Sequence, residues 1–205
     1  MTNPEAQQTR NVFVGIDIQN DFIDGSLAVN EGAEVVAPAN TLSAEVRDDG
    51  GTVVWSRDWH PKETPHFDAW PVHCVQETRG AAFSADLDVR ETDIVLSKGM
   101  GQTDGYSAME GVGPAGQTLE SIISPESDER VRAIMLGLAT DYCVRSTVLD
   151  SCVTFGDNPD VDIIIVRDGI RAVNIEPDDE QRAMQAMEEA GAIAMTSEEI
   201  RRAFF

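Results

Sequence analysis

Five short and almost uninterrupted apolar runs punctuate the chain: NVFVGI at 11–16, TVVW at 52–55, DIVLS at 93–97, VRAIML at 131–136 and VDIIIV at 161–166. None alternates polar and apolar residues as a strand with one wet face does, so each reads as a strand buried on both faces of a parallel sheet. A sixth, short strand is expected near Ala192–Met195. Between the runs, Val144, Val148, Leu149 and Cys152 recur at helical spacing. So do Ala183, Met184, Met187 and Ala190, after an acidic start at Pro177, Asp178 and Asp179 and before a stop at Gly191. The segment after Gly32 reads as a weaker helix interrupted early by Pro38, and Thr196 with Glu199 has capping-box spacing for a short terminal helix. The fold class is α/β.

The length of 205 residues suits one substantial core, so a single domain over 1–205 is expected, with 1–10 as a flexible N-terminal tail. No apolar run approaches the roughly 18 residues of a membrane span. The opening MTNPEAQQTR lacks the apolar segment of a secretory signal, which points to a cytoplasmic protein. A formal charge of -22 repels phosphate backbones and anionic lipid, which argues against nucleic-acid and membrane partners. Lys62 and Lys98 are the only lysines. A lysine-poor acidic surface resembles that of halophilic proteins, the alternative being an ordinary acidic enzyme. Three cysteines, Cys74, Cys143 and Cys152, are too few and too odd in number for a disulfide framework.

Reactive side chains collect just beyond the carboxyl ends of four expected strands: Asp17, Asp58, Lys98 and, shortly past the fourth, Cys143. Open parallel sheets bind ligands at that edge. All three histidines, His60, His66 and His73, fall in one stretch, with Asp58 two residues before the first. Three imidazoles and a carboxylate suit Zn²⁺, Fe²⁺ or Mn²⁺, and the bland reading is a set of solvated loop histidines. Cys143, in GLATDYCVRSTV, stands where a strand passes into a helix; the positive helix end is expected to lower its thiol pKa and to offer amide donors. The bland reading there is a buried structural cysteine. Cys152 falls on an apolar stripe and reads as core, whereas Cys74 adjoins His73. The long irregular stretches 56–92 and 98–116 are candidates for functional loops.

Five ordered segments carry a resemblance: GIDIQNDF, SRDWHPKETPHF, WPVHCVQETRGAAF, LSKG with the following YSAMEG, and GLATDYCVRSTVLDS. Together they resemble the isochorismatase-like cysteine hydrolases, on the nicotinamidase and pyrazinamidase branch. The resemblance implies a three-layer fold in which helices cover both faces of a six-stranded parallel sheet. It implies a catalytic triad of Asp17, Lys98 and Cys143, metal ligands Asp58, His60, His66 and His73, and a substrate pocket with Phe22, Trp70 and Tyr106. A cis peptide between Leu138 and Ala139 is implied as well, with the Ala139 and Cys143 amides facing an oxyanion. One divalent ion, zinc foremost with iron or manganese as alternatives, is the implied cofactor.

The implied reaction is hydrolysis of nicotinamide, with pyrazinamide as a further substrate, to the acid and ammonia through a thioester. Two rivals stand beside it. A related hydrolase acting on another amide, a ureido group or a vinyl ether shares the triad without needing the metal set, and a non-catalytic α/β binding module fits the composition. Assembly into a homo-oligomer is a further expectation.

Overall fold

The computed structural model describes residues 8–101 and 105–205. In chain order its regular elements are β1 (Gln8–Ile16), α1 (Asn20–Ile23), α2 (Val36–Asp48), β2 (Thr52–Asp58), β3 (Ile94–Lys98), α3 (Leu119–Ile123), β4 (Glu129–Leu138), α4 (Arg145–Phe155), β5 (Val161–Arg171), α5 (Asp179–Glu189), β6 (Ile193–Met195) and α6 (Ser197–Phe204). All six strands form one parallel sheet in the order β3-β2-β1-β4-β5-β6. Residues 1–7 of the expected tail lie outside the described residues, but Gln8, Thr9 and Arg10 already pair with Glu129, Arg130 and Val131, so the tail does not reach residue 10.

The chain runs outward from β1 to β3 on one side and from β4 to β6 on the other. Right-handed crossovers in opposite directions place their helices on opposite faces. Accordingly α2 packs with α6 and α4 packs with α5. The apolar runs fill the space between: Val12, Phe13, Val14, Ile16, Val54, Trp55, Leu96, Ile134, Met135, Leu136 and Ile165 are all fully buried. Among the described residues, no helix is long and apolar enough to cross a membrane.

The helical expectations hold in most particulars. Thr196 and Glu199 close a reciprocal cap at the start of α6, and Gly191 follows α5 with φ +105°. Ala183 and Met187 of the α5 stripe are buried, whereas Ala190, at its end, is exposed. Pro38 does not interrupt its helix. It sits in the first turn of α2, where a missing N–H costs nothing, behind a 3₁₀ turn at Gly32–Val35.

Between β1 and β4 the strand order reverses, which opens a crevice at their carboxyl ends. Close approach there is enforced by Gly137, whose φ is +133° and whose place would put a Cβ 2.0 Å from the Ile16 carbonyl oxygen. The described parts of the long stretches 56–92 and 98–116 reach this edge, where His66, Trp70, His73 and Tyr106 line a pocket with Cys143. Gln19 bridges to Phe83, His60 to Val75 and Ser97 to Val112, so they are tied down by backbone pairing.

Candidate active site

Asp17 is the first residue past β1, with φ +51° and no solvent exposure. Its amide donates to the Ser56 carbonyl at 3.2 Å, and Ser56 Oγ donates to Asp17 Oδ1 at 2.7 Å. Ser56 and Asp58 share one face of β2 because side chains alternate along a strand. Asp58 is the register partner of Lys98 on β3, so three strand ends deliver two carboxylates and an ammonium to one point.

Lys98 Nζ donates to Asp58 Oδ1 at 2.5 Å, to the Gly105 carbonyl at 2.8 Å and to Cys143 Sγ at 3.5 Å. It also lies 2.8 Å from Asp17 Oδ2. An ammonium has three protons for these four neighbours. The 3.5 Å approach to sulfur is the longest of the four, and Asp17 Oδ2 is held as a buried ion pair. Asp17, Asp58 and Cys143 each bring an oxygen or sulfur atom within 4.8 Å of the others.

Cys143 lies on a wide turn, Thr140–Val144, that runs directly into α4. Its geometry is set by Ala139, whose carbonyl accepts from both Tyr142 and Val144 at 3.1 Å. The preceding Leu138–Ala139 peptide bond is cis, as the resemblance implied.

Electrostatics depart from one expectation. Burial, reinforced by the charges of Asp17 and Asp58 and only partly opposed by Lys98, pushes the Cys143 thiol well above its ordinary range. Desolvation is the largest of these contributions, and it runs against the lowering expected from the helix end. Burial likewise raises Asp17 against the pull of Lys98. Burial alone would raise Asp58 too, but Lys98 and His60 hold it far below the usual carboxylate range. The two carboxylates pull Lys98 well above its usual value despite its complete burial, so it stays charged.

Beside this cluster stand the three histidines, each no more than 6% exposed. Their candidate ligand nitrogens lie within 4.8 Å of one another. His60 Nδ1 is tied to the Gly99 carbonyl at 2.9 Å and His73 Nδ1 to the Pro71 carbonyl at 2.7 Å, which leaves each Nε2 to face inward. Those Nε2 atoms are 3.8 and 4.0 Å from Asp58 Oδ2. His60 Nε2 is buried with no hydrogen-bond partner. An orphaned imidazole nitrogen is costly unless something accepts its lone pair, and a carbonyl on the opposite ring nitrogen is the usual support of a metal-bound histidine. Three imidazoles and a free carboxylate oxygen therefore fit a divalent ion of the zinc, iron or manganese kind. His66 joins through a 3₁₀ turn at Pro65–Asp68, capped by Thr64, and stacks on His60 with ring centroids 4.5 Å apart.

Cys143, Asp58, His66 and His73 open onto one pocket whose other walls are Phe22, Leu27, Trp70, Tyr106, Ala139, Tyr142 and Val173. Phe22 packs against His73, and Trp70 Nε1 donates to the Tyr106 hydroxyl at 2.8 Å. Every candidate residue named from the sequence thus borders this pocket or stands directly behind it. Cys152, on the stripe of α4, is remote from it and buried, as expected of a core residue. Sequence reasoning missed Tyr142, which meets Trp70 edge to face with ring centroids 5.0 Å apart, and the supporting groups Ser56 and Gln19. Tyr142 directly precedes Cys143 and Ser56 is two residues before Asp58, so proximity along the chain was the available signal.

Comparison with known proteins identifies the family. A family model described as the isochorismatase domain matches residues 11–199. A nicotinamidase from Escherichia coli is 35% identical over 88% of this chain and 92% of its own length. The crystal structure of a Pyrococcus horikoshii pyrazinamidase in complex with zinc superposes with a TM-score of 0.77 at 30% identity, covering 91% of this chain and 99% of that one. A protein from L. infantum, termed PnC1 and solved in complex with nicotinate, gives a TM-score of 0.75 at 28% identity, covering 92% and 93% of the two chains.

Proposed function

We propose that this chain, which belongs to the isochorismatase domain family, is a nicotinamidase that converts nicotinamide to nicotinate and ammonia through a thioester on Cys143. One observation carries the reading. A thiol 3.5 Å from a buried, doubly paired lysine faces an aromatic pocket whose far wall is a histidine cluster fit for a metal. A flat, neutral heteroaromatic amide matches both ends of that pocket.

Phe22 and Trp70 hold the ring, with Tyr106 closing the side through its bond to Trp70. Positioning of this kind replaces a bimolecular encounter with an oriented one. Asp58, His60, His66 and His73 would hold the ion, for which zinc is our choice. When bound, it supplies a Lewis-acidic anchor for a ring nitrogen.

Asp17, its Oδ2 held 2.8 Å from the Lys98 ammonium, accepts the Cys143 proton as sulfur attacks the carboxamide carbon. The raised pKa of Asp17 makes it a stronger base than an exposed carboxylate, which a raised thiol pKa requires. The Ala139 and Cys143 amides receive the oxyanion; one such donor is typically worth about 3–4 kcal/mol of activation energy. Asp17 then returns the proton to the departing amine, the C–N bond breaks and ammonia leaves. In the second half Asp17 takes a proton from water, the hydroxyl oxygen adds to the thioester carbon, and the C–S bond breaks as the thiol is re-formed. Lys98 keeps its charge throughout and offsets the negative charge of the cluster.

The test is ammonia release from nicotinamide by zinc-loaded protein, by chelated protein and by chelated protein resupplied with zinc. Release that is lost on chelation and restored by zinc is the expected result. Zinc-loaded protein that releases ammonia from a ureido substrate but not from nicotinamide would show the reading to be wrong. Pyrazinamide, sharing the ring nitrogen and the carboxamide, should be hydrolysed as well.

A further inference from the structure

Gln19 is fully buried two residues past Asp17, and the mechanism gives it no task. Its amide nitrogen donates to the Asp58 carbonyl at 2.8 Å and to the Ala81 carbonyl at 2.8 Å. Its amide oxygen accepts from the Asp58 N–H at 2.7 Å. One side chain thus grips Asp58 by both backbone groups, with no freedom to slide along β2. The same grip fixes the distance between the ends of β1 and β2 and pins the loop that follows the histidines.

Asp58 needs such a grip because its two carboxylate oxygens serve different partners. Oδ1 receives Lys98, whereas Oδ2 faces His60 and His73. A small rotation of the residue would improve one contact at the expense of the other. We infer that Gln19 is a positioning residue for the metal centre, holding Asp58 so that one oxygen remains aimed at the histidines while the other stays on Lys98.

The inference rests on the metal-centre reading of these histidines, and the test separates the two. Zinc affinity is measured by competition with a chromogenic chelator, without any turnover, for wild type, Asp58→Asn, Gln19→Met and Val46→Ala. Val46, buried in α2 away from the pocket, reports what general loosening of the fold does to binding. If wild type binds zinc no more tightly than Asp58→Asn, the metal-centre reading itself fails. If it does bind, Gln19→Met should weaken zinc about 10- to 100-fold, the usual consequence of losing a group that orients a ligand, while Val46→Ala keeps wild-type affinity. Should Gln19→Met not fold, Gln19→Glu replaces it, since it retains an acceptor for the Asp58 N–H and loses both donors. Wild-type zinc affinity in the folded Gln19 variant, or an equal loss in Val46→Ala, overturns the inference.

Discussion

Lys98 and Asp58 are register partners at the ends of adjacent parallel strands, and their side chains meet at 2.5 Å with Asp58 still presenting its second oxygen to two histidines. The thiol cluster and the metal-fit cluster therefore share a residue. Removing the cation should damage both. In Lys98→Met, Asp17 and Asp58 face each other in a buried site without a counter-charge, and breaking such a pair typically costs about 3–5 kcal/mol. Urea denaturation at pH 7 should show a loss of that order, and turnover should disappear in the fraction that folds. A variant as stable as wild type would mean that the carboxylates do not depend on Lys98.

Cys143→Ala should behave differently. It removes the nucleophile and leaves the Asp17–Lys98–Asp58 set intact, and the small cavity is exposed to the pocket and not sealed in the core. Stability should change by less than about 1.5 kcal/mol. Ammonia release should fall below detection while calorimetry still records nicotinamide binding to the zinc-loaded variant. Residual turnover above a thousandth of wild type would exclude Cys143 as the nucleophile.

Much of this site was legible in the sequence because its members sit at strand ends. Asp17, Asp58 and Lys98 each close or follow an apolar run whose lack of alternation marks a doubly covered parallel strand, and parallel sheets gather such ends at one edge. His66 and His73 were legible as a cluster in the chain and through the resemblance of the segments that carry them, since loop geometry has no period to read. The thiol pKa was misjudged for a physical reason. Sequence shows the helix that would stabilise a thiolate but not the depth of burial or the two carboxylates that oppose it. Gln19 was invisible for a similar reason: a side chain that bonds only to backbone carries no partner residue type to search for.

Gly99 offers a sharper test of how the histidines are held. Its φ is +65°, and a Cβ there would lie 2.5 Å from His60 Cε1 and 2.8 Å from Nδ1. The same residue's carbonyl receives His60 Nδ1. Gly99→Ala must therefore strain the backbone by about 1–3 kcal/mol, displace the imidazole, or both. Zinc binding should weaken together with thermal stability. Unchanged zinc affinity would mean that His60 is not held by this turn.

Asp93 provides a pH-dependent stability term far from the pocket. Its side chain is 2% exposed, and it accepts from Arg47 Nη2 at 2.6 Å, from Trp55 Nε1 at 2.8 Å and from the Arg90 N–H at 2.9 Å. Burial would raise its pKa, but these donors, Arg47 first, hold it below the usual value. A folded-state pKa below the unfolded one means that the stabilisation is complete above the unfolded value near 3.9 and is lost as pH falls through the folded one. Asp93→Asn should cost about 2–3 kcal/mol at pH 7. The gap from wild type should narrow as pH drops below about 4, and a gap that stays constant down to pH 2 would contradict the assignment.

The charge of -22 sets the response to salt. Two effects oppose each other: salt weakens surface ion pairs such as Arg79–Asp24 and Arg90–Asp88, and it screens the mutual repulsion of the excess carboxylates. Exposed pairs are worth little, typically below about 1 kcal/mol each, and most of the acidic excess has no cation to pair with. Repulsion should therefore decide the sign. The melting temperature should climb as sodium chloride rises from about 10 mM to 1 M, where the screening length shrinks from about 30 Å to about 3 Å. Potassium chloride at equal ionic strength should act alike, since screening depends on charge and concentration. A flat or falling curve would show that the paired charges, and not the surplus, govern stability, and would remove the physical basis for reading this surface as adapted to salt.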